Sequence, residues 1–376
     1  MDSALWNRRI ARTSYRFVRV SRATGDEVER IGALSGGTIT RNDDTRIKES
    51  AEAEMVSDYD FGPDLVRVYL IAEWEGGERA EVPLGTFVPV VPSRDVTAGY
   101  SRYALKMYGR LQELLDDKFA APVTVDPGSD AVAVARGVSE AQGLTFVAEP
   151  SDYRTTNPRS YGVGAQQANS EVGDTKLDMV NDLLSLAGFR AATTDEMGRV
   201  VLSRYRDPSD VAPSWEFSEG PAAKFERDMT EERDYTTAAN HVVVRYGSFG
   251  DDGTGGVVVG EAYDTDPASE LSTASRGRVI TASYEYDELP PGKTAEEMQA
   301  YADSRAEALL FTAQSVIRRV TLTHAYAPVR VNDVVSLDYP SGGVSGRFQV
   351  RTQTLKLSGG CPTECEARSY RRRRNG

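Results

Sequence analysis

Apolar and polar residues alternate along short runs in the N-terminal part of this chain, and glycine-containing turns separate the runs. Tyr15 to Val20 alternates and is followed by the turn Thr24-Gly25-Asp26. Val66 to Ile71 leads in the same way to the turn Glu75-Gly76-Gly77-Glu78. A period of two places successive side chains on opposite faces of a strand, and glycine supplies the backbone angles of tight turns. The pattern therefore predicts an antiparallel sheet.

The last third of the chain returns to the strand pattern. A glycine- and aspartate-rich stretch, residues 248–256, predicts a long hairpin tip there. We expect these strands to form a second antiparallel sheet or barrel. The runs are Asn240 to Gly247, Val320 to Thr323, Val334 to Leu337, Arg347 to Leu357 and Glu366 to Tyr370.

Helical spacing begins with a short helix at Leu111, Leu114 and Leu115 and recurs in the middle of the chain and in one later stretch. Ser129 can cap a helix that runs to about Gln142. Thr294 and Glu297 have the spacing of a capping box and open another helix. A further helix, capped by Asp174 or Thr175 and ended by Gly188, has its apolar stripe at Leu177, Val180, Leu183, Leu184 and Ala187.

At 376 residues the chain exceeds what one compact core usually holds, so we expect several domains. The predicted fold class is α+β and β-rich, with two antiparallel, β-barrel-like domains flanking a smaller α/β domain. The boundaries are 1–121 for the N-terminal β-rich domain, 122–235 for the α/β domain with a long loop at 150–170, and 236–376 for the C-terminal β-rich domain with one helix near 294–314.

Composition limits the class of protein. Apolar residues make up 40% of the chain and charged residues 27%, which is typical of folded domains. The formal net charge of −13 argues against general nucleic-acid binding, which needs many Lys and Arg side chains on one face. The basic run Arg371 to Arg374 is either a solvated tail or a docking segment for an acidic partner.

Targeting signals are not found. The first residues contain no apolar run of signal-peptide length, and no stretch approaches the length of a transmembrane helix, so we expect neither. The two cysteines, Cys361 and Cys365, are too few for a disulfide framework, and we expect folding in a reducing cytosol. They are either two buried thiols or one disulfide that staples a hairpin.

Each candidate motif of a catalytic or metal-binding site in the sequence is incomplete. His241 and His324 lie inside predicted strands, where we expect structural roles. The segment Gly342-Gly343-Val344-Ser345-Gly346 only partly matches a nucleophile elbow, and no helix follows it. Cys361 and Cys365 lack the second Cys or His pair that a zinc site needs.

Acidic residues are abundant, but their spacing predicts no convergence. Asp116 with Asp117, and Glu231 with Glu232, are sequence neighbours, whereas two catalytic carboxylates must face each other across a cleft. The stretches 251–253 and 264–266 lack the twelve-residue calcium loop with its closing Glu. We therefore predict no catalytic, cofactor-binding or metal-binding residues and no cofactor.

The order of elements resembles that of the central tail hub, or baseplate hub, proteins of tailed bacteriophages. Its residues are Leu177 to Tyr205, including Leu183-Leu184-Ser185-Leu186-Ala187-Gly188-Phe189 and Asp195-Glu196-Met197-Gly198-Arg199-Val200, then Asn240 to Gly247, Ala302 to Leu310, and Val329-Arg330-Val331-Asn332-Asp333-Val334-Val335. The first 120 or so residues fit by architecture.

This resemblance implies a non-enzymatic virion protein at the tail tip, assembled in the host cytoplasm. It implies a homotrimer whose two tail-tube-type domains per subunit match a hexameric ring. The implied partners are a distal tail or tail-tube ring, a tip or spike protein and the tape-measure protein. DNA would pass through the lumen without specific binding, and an acidic wall keeps a polyanion from adhering.

Two other readings stay open. One is a tail-associated cell-wall hydrolase or polysaccharide-binding module, although Trp6, Trp74 and Trp215 are too scattered in sequence to suggest a sugar platform. The other is an extracellular β-domain binding protein. Because long polar loops are uncommon inside compact domains, we also expect 150–170 and 248–256 to lie at assembly interfaces.

Overall fold

The computed structural model describes residues 3–57, 59–97, 100–162, 175–208, 210–234, 238–247, 257–286, 294–314 and 316–371. The predicted hairpin tip 248–256, residues 163–170 of the predicted loop and Arg372 to Arg374 lie outside these ranges. The α-helices are α1 (Ser3–Trp6), α2 (Leu111–Asp116), α3 (Ala131–Glu140), α4 (Lys176–Leu186), α5 (Thr273–Arg276) and α6 (Ala295–Ala313), and a 3-10 turn covers Pro340–Gly342.

Strands make up most of the regular structure. The first twelve are β1 (Ile10–Val20), β2 (Glu27–Arg30), β3 (Leu34–Asn42), β4 (Glu49–Met55), β5 (Leu65–Trp74), β6 (Arg79–Thr97), β7 (Tyr100–Gly109), β8 (Val123–Val125), β9 (Phe146–Ala148), β10 (Arg159–Tyr161), β11 (Thr193–Thr194) and β12 (Val200–Leu202). The others are β13 (Trp215–Ser218), β14 (Phe225–Asp234), β15 (His241–Tyr246), β16 (Val258–Tyr263), β17 (Thr281–Tyr286), β18 (Val316–His324), β19 (Val334–Tyr339), β20 (Val344–Lys356) and β21 (Thr363–Arg371).

The predicted β-rich, antiparallel character is confirmed. Strands β20, β3, β4, β7, β6, β5, β1 and β2 follow one another as hydrogen-bonded neighbours, and every adjoining pair is antiparallel. β19 joins β20 from the other side and pairs in parallel with β13. Among the described strands, no pairing closes this series into a barrel.

The chain divides into two compact units, which do not follow the three consecutive segments predicted from sequence. Unit 1 is Met1–Met229 with Leu322–Ala367, and unit 2 is Thr230–Thr321 with Arg368–Gly376. The physical reason is the pairing of β20 with β3, in which Gln353 lies opposite Arg41. This pairing places late strands in the same unit as the N-terminal strands.

Buried and more exposed residues alternate along strands of unit 1. In β4, Glu49, Ala51, Ala53 and Met55 are buried, and the residues between them are more exposed. β5 is the exception, because nearly all of its residues are buried. A strand covered on both faces loses the alternating pattern and becomes continuously apolar.

The α/β part of unit 1 packs α2, α3 and α4 on short strands. The predicted stripe of α4 is confirmed for Leu177, Val180, Leu183 and Leu184, which are buried in one cluster. Of the two predicted caps of α4, Thr175 is the N-cap and forms a reciprocal capping box with Asp178.

The cap predicted for α3 was one residue early. Asp130 is the N-cap, and its side chain accepts from the backbone N–H of Ala133 at 3.0 Å. The backbone N–H of Ser129 instead donates to the Thr155 hydroxyl at 3.1 Å, which holds Ser129 in the preceding turn.

Unit 2 contains a three-stranded sheet with β15 between β16 and β17. The capping box predicted for the longest helix is confirmed, because Thr294 and Glu297 exchange two 3.1 Å hydrogen bonds. Val242, Val244, Ala302 and Ala306 share the core that joins α6 to this sheet. Among the helices that the structure describes, none combines the length and the apolar character that a membrane crossing requires.

Gly260 determines how closely α6 approaches β16. A Cβ at this position would lie 2.2 Å from the carbonyl oxygen of Ala302, and backbone atoms cannot move aside as a flexible side chain can. We expect Gly260→Ala to lower the free energy of unfolding by ~1–3 kcal/mol, measured by urea denaturation. Gly32→Ala is the control, because a Cβ there meets nothing within 4 Å. Equal stability of both variants would contradict this account.

Candidate functional site

Both histidines are embedded in side-chain packing. His241 stacks on Tyr263 with ring centroids 3.8 Å apart, and its Nδ1 lies 2.9 Å from the Thr281 hydroxyl. His324 is buried, and its Nδ1 donates to the backbone oxygen of Ala325 at 2.7 Å. Burial lowers the pKa of His324 to about 4, so the ring is neutral at physiological pH.

The two cysteines are free thiols, so the structure contains the first of the two predicted alternatives. Both side chains are buried. Burial raises the pKa of Cys361 to about 11 and that of Cys365 to about 12. Because the thiolate is the reactive form, neither sulfur is activated as a nucleophile or metal ligand.

The acidic pairs singled out in the sequence are held by neighbouring side chains. Glu231 is paired with Arg318, and Glu232 with Arg319 at 3.1 Å. Asp117 is paired with Lys176. Within the described ranges, no three His, Cys, Asp or Glu side chains are grouped so that they could hold a metal ion.

Of the two aspartate-containing stretches that lack the calcium-loop pattern, the structure describes only one. Residues 251–253 lie outside the described residues. In 264–266, the buried Asp264 carboxylate accepts hydrogen bonds from Ser269 at 2.5 Å and from Gln314, and so fastens a loop.

The partial elbow motif and the tryptophans belong to the framework of unit 1. Ser345 follows the turn between β19 and β20, and its hydroxyl donates to Asp338 at 3.2 Å. Trp6 and Trp74, which are distant in sequence, meet edge-to-face at 5.0 Å. Both are buried, as is Trp215, so none of the three offers an exposed sugar platform.

Two of the stretches that carried the resemblance meet in unit 1. Arg330, in the loop before β19, has its guanidinium against Glu49 and 2.7 Å from Glu196. Its Nη2 also donates to the backbone oxygen of Thr194 at 3.0 Å. These contacts join the loop 329–335 to the turn 195–198.

Glu49 is the centre of this ion cluster and is 5% exposed. Arg41 lies directly opposite it in the β3–β4 pair at 3.6 Å, and the Thr194 hydroxyl donates to it at 3.1 Å. Burial tends to lower the pKa of Arg330, but the carboxylates of Glu49 and Glu196 outweigh it and raise that pKa. The cluster therefore consists of compensated charges.

The turn 195–198 is fixed on its other side by β5 and β6. The Thr86 hydroxyl donates to the backbone oxygen of Glu196 at 2.9 Å, and Arg67 donates to that of Met197 at 3.3 Å. Gly198 has a φ of 80°, and a Cβ there would lie 2.8 Å from Cδ of Arg110. Glycine is required at this position by both its conformation and its surroundings.

A cleft of about 420 Å³ opens beside the ion cluster. Residues of the cluster line it together with the segments that follow α4, β9 and β12. The charged lining residues are Arg41, Lys48, Glu49, Glu149, Arg190, Asp195, Glu196, Arg204, Arg206, Arg330 and Asp333. This cleft is the candidate functional site of the described chain, because charged side chains converge there in a partly enclosed space.

No residue of this cleft was predicted as a site residue, although the sequence contains one signal for it. Glu49 is in phase with Ala51 and Ala53 on the buried face of β4, and Arg41 is in phase with Ile39 on that of β3. A charged residue at a buried position of an alternating strand implies an opposite charge beside it. Which distant residue supplies that charge depends on the tertiary fold.

Comparison with known proteins gives similarity in structure but not in sequence. No protein-family model matches the chain, and no curated relative matches it. A tail protein from Neisseria meningitidis MC58 is similar with a TM-score of 0.62 at 14% identity, over 95% of this chain and 97% of that one. This chain shares its fold.

Two prophage proteins show the same similarity. The 43 kDa tail protein of prophage MuSo2 from Shewanella oneidensis has a TM-score of 0.57 at 12% identity, over 94% of this chain and 98% of that one. The prophage tail protein gp18 from Listeria monocytogenes EGD-e has a TM-score of 0.54 at 12% identity, over 94% of each chain. The resemblance read from the sequence is thus confirmed at the level of a tail-protein fold.

Arg330 can be removed to test the ion cluster. In Arg330→Met, Glu49 stays buried and loses its closest cation, so we expect the free energy of unfolding to fall by ~3 kcal/mol or more. Urea denaturation measures the loss. The control is Arg8→Met, whose partner Glu78 is solvent-exposed and whose removal should change stability little. Similar small losses in both variants would show that the cluster does not hold unit 1 together.

His324 gives a pH-dependent prediction. Its pKa is about 4 in the folded chain against an ordinary value of 6.5, so between these values the unfolded chain binds a proton that the folded chain does not. The free energy of unfolding should therefore fall by ~3 kcal/mol from this group as the pH is lowered through that range. Denaturation at several pH values should give a flatter profile for His324→Gln. Parallel profiles would contradict the prediction.

Proposed function

We propose that this protein is a structural component of a phage or phage-like tail, and within it the hub that joins the tail ring to the tail tip. The observation that carries the proposal is the shared fold with three tail proteins over nearly the whole length of each chain. A fold alone does not determine function, so the site and the assembly must be tested directly.

The finer part of the proposal is a homotrimer located at the tip or baseplate of the virion. Each subunit would supply two barrel-like, tail-tube-type domains, so that three subunits match a six-membered ring. Its neighbours would be a distal tail or tail-tube ring, a tip or spike protein and the tape-measure protein. The extensive antiparallel sheet of unit 1 supports this architecture, since barrels of this kind are built from such sheets.

Charge supports a passage for DNA without binding to it. The net charge of −13 disfavours adhesion of a polyanion, which a conducting lumen requires. We also propose that the protein has no catalytic activity. This is supported by the burial of His324 and of both thiols, which leaves these groups neutral and enclosed.

The mass of the purified protein in solution tests the proposed assembly. The chain mass is 41.1 kDa, and we expect light scattering to give three times that mass, either alone or after addition of candidate tail-ring and tip proteins. Cell-wall turnover is assayed on the same samples. A monomer that ignores its candidate neighbours and degrades cell walls would favour the alternative, a tail-associated hydrolase.

Deletion variants refine this measurement. We propose that loops 150–170 and 248–256 lie at assembly interfaces. Removing 163–170 or 248–256 should therefore weaken association while the thermal unfolding midpoint of the subunit stays close to that of the wild type. Residues 150–162 are kept in both variants, because they include β10 with its buried Tyr161. Ring assembly that is unchanged by both deletions would remove the loops from the interface.

A further inference from the structure

The charged cleft in unit 1 is lined in part by cations that form no ion pair within the described residues. Lys48, Arg190 and Arg204 line it, and within the described part of the chain none of them forms an ion pair. Arg206 differs, since it pairs with Glu149 at 3.0 Å. Three unpaired cations in one cleft are unusual in a chain whose net charge is −13.

The two arginines are held in place by contacts that leave their charge intact. Arg204 donates from Nε and Nη2 to the backbone oxygen of Pro150 at 3.2 and 2.7 Å, and its guanidinium lies 5.6 Å from the ring centre of Phe189. Arg190 donates to the backbone oxygen of Arg206 at 3.3 Å and lies 5.7 Å from the ring of Tyr205. Fixed guanidinium groups lose little freedom when they bind an anion.

Lys48 is positioned in a similar way. Its ammonium donates to the backbone oxygen of Asp43, while the carboxylate of Asp43 is already occupied by Arg351 at 2.7 Å and Asn332 at 2.9 Å. Burial lowers the pKa of Lys48 and of Arg190. Positive charge that is partly removed from water is stabilised when an anion arrives.

We infer that the cleft binds carboxylate groups of an acidic segment of a partner protein, with Arg190, Arg204 and Lys48 as the binding residues. The guanidinium N–H groups that Arg204 and Arg190 do not donate to Pro150 and Arg206 remain for the oxygens of a carboxylate. Nucleic acid is disfavoured by the size of the cleft. A space of about 420 Å³ accommodates a few side chains and not a duplex.

This site does not depend on the tail-hub proposal, since it requires only a partner with an acidic segment. If the partner is a neighbouring tail protein, binding at the cleft would contribute to assembly. If the protein does not form a trimer, the proposal for the cleft still holds. If the cleft does not bind carboxylates, the proposal of a trimer still holds. The two proposals therefore stand or fall on separate measurements.

The test uses the full chain and a fluorescein-labelled tetraglutamate peptide, with tetraglutamine as the uncharged probe. We expect fluorescence anisotropy at low salt to show binding of tetraglutamate only, weakening as salt screens the charges. Arg190→Gln and Arg204→Gln should each weaken binding about tenfold or more. The matched control is Arg136→Gln on α3, which removes a half-exposed arginine outside the cleft and should bind as the wild type does.

A folding control and three outcomes decide whether the cleft binds carboxylates. Circular dichroism establishes that each variant is folded, and Lys48→Gln replaces any arginine variant that is not. Equal binding by the cleft variants and Arg136→Gln, or equal binding of both peptides, would overturn the inference. So would displacement of tetraglutamate by inorganic phosphate at concentrations where glutarate has no effect, because that outcome assigns the cleft to phosphate.

Discussion

The carboxylate of Glu49 lies where three separate parts of unit 1 meet. It faces Arg41 across the β3–β4 pair, Arg330 from the loop before β19 and the Thr194 hydroxyl from β11. A buried carboxylate without partners is strongly destabilising, so each of these three contacts stabilises the arrangement of the sheet, the hairpin and the loop. The cleft exists because this cluster holds its walls in one arrangement.

Local structure was largely predictable because it depends on nearby residues. The strands β1 and β5, the stripe of α4 and the capping box of α6 follow from residues that are close together in the sequence. The grouping of strands was not predictable in this way. The pairing of β20 with β3 connects residues far apart in sequence, and no periodicity within either strand specifies its partner.

The candidate site was less predictable than the fold. Arg190 and Arg204 are ordinary arginines in sequence, and their convergence with Lys48 depends on how the segments after α4 and β12 pass beside the start of β4. The stretches 195–200 and 329–335, by contrast, were singled out for their resemblance, and the structure joins them through Arg330 and Glu196. The structure thus brings two stretches together through a tertiary contact that composition could not reveal.

The division of the chain also orders events during synthesis. Residues 230–321 of unit 2 lie between two segments of unit 1, and 312 residues separate Arg41 from Gln353. At about 5–20 residues per second, β3 waits on the order of tens of seconds for β20. During that interval the strands and α6 of unit 2 have been synthesised and can pack on one another. The edge of β3 that pairs with β20 can meet only solvent, chaperones or other nascent chains. The order of the segments in the chain therefore leaves this edge of β3 open to mispairing during synthesis.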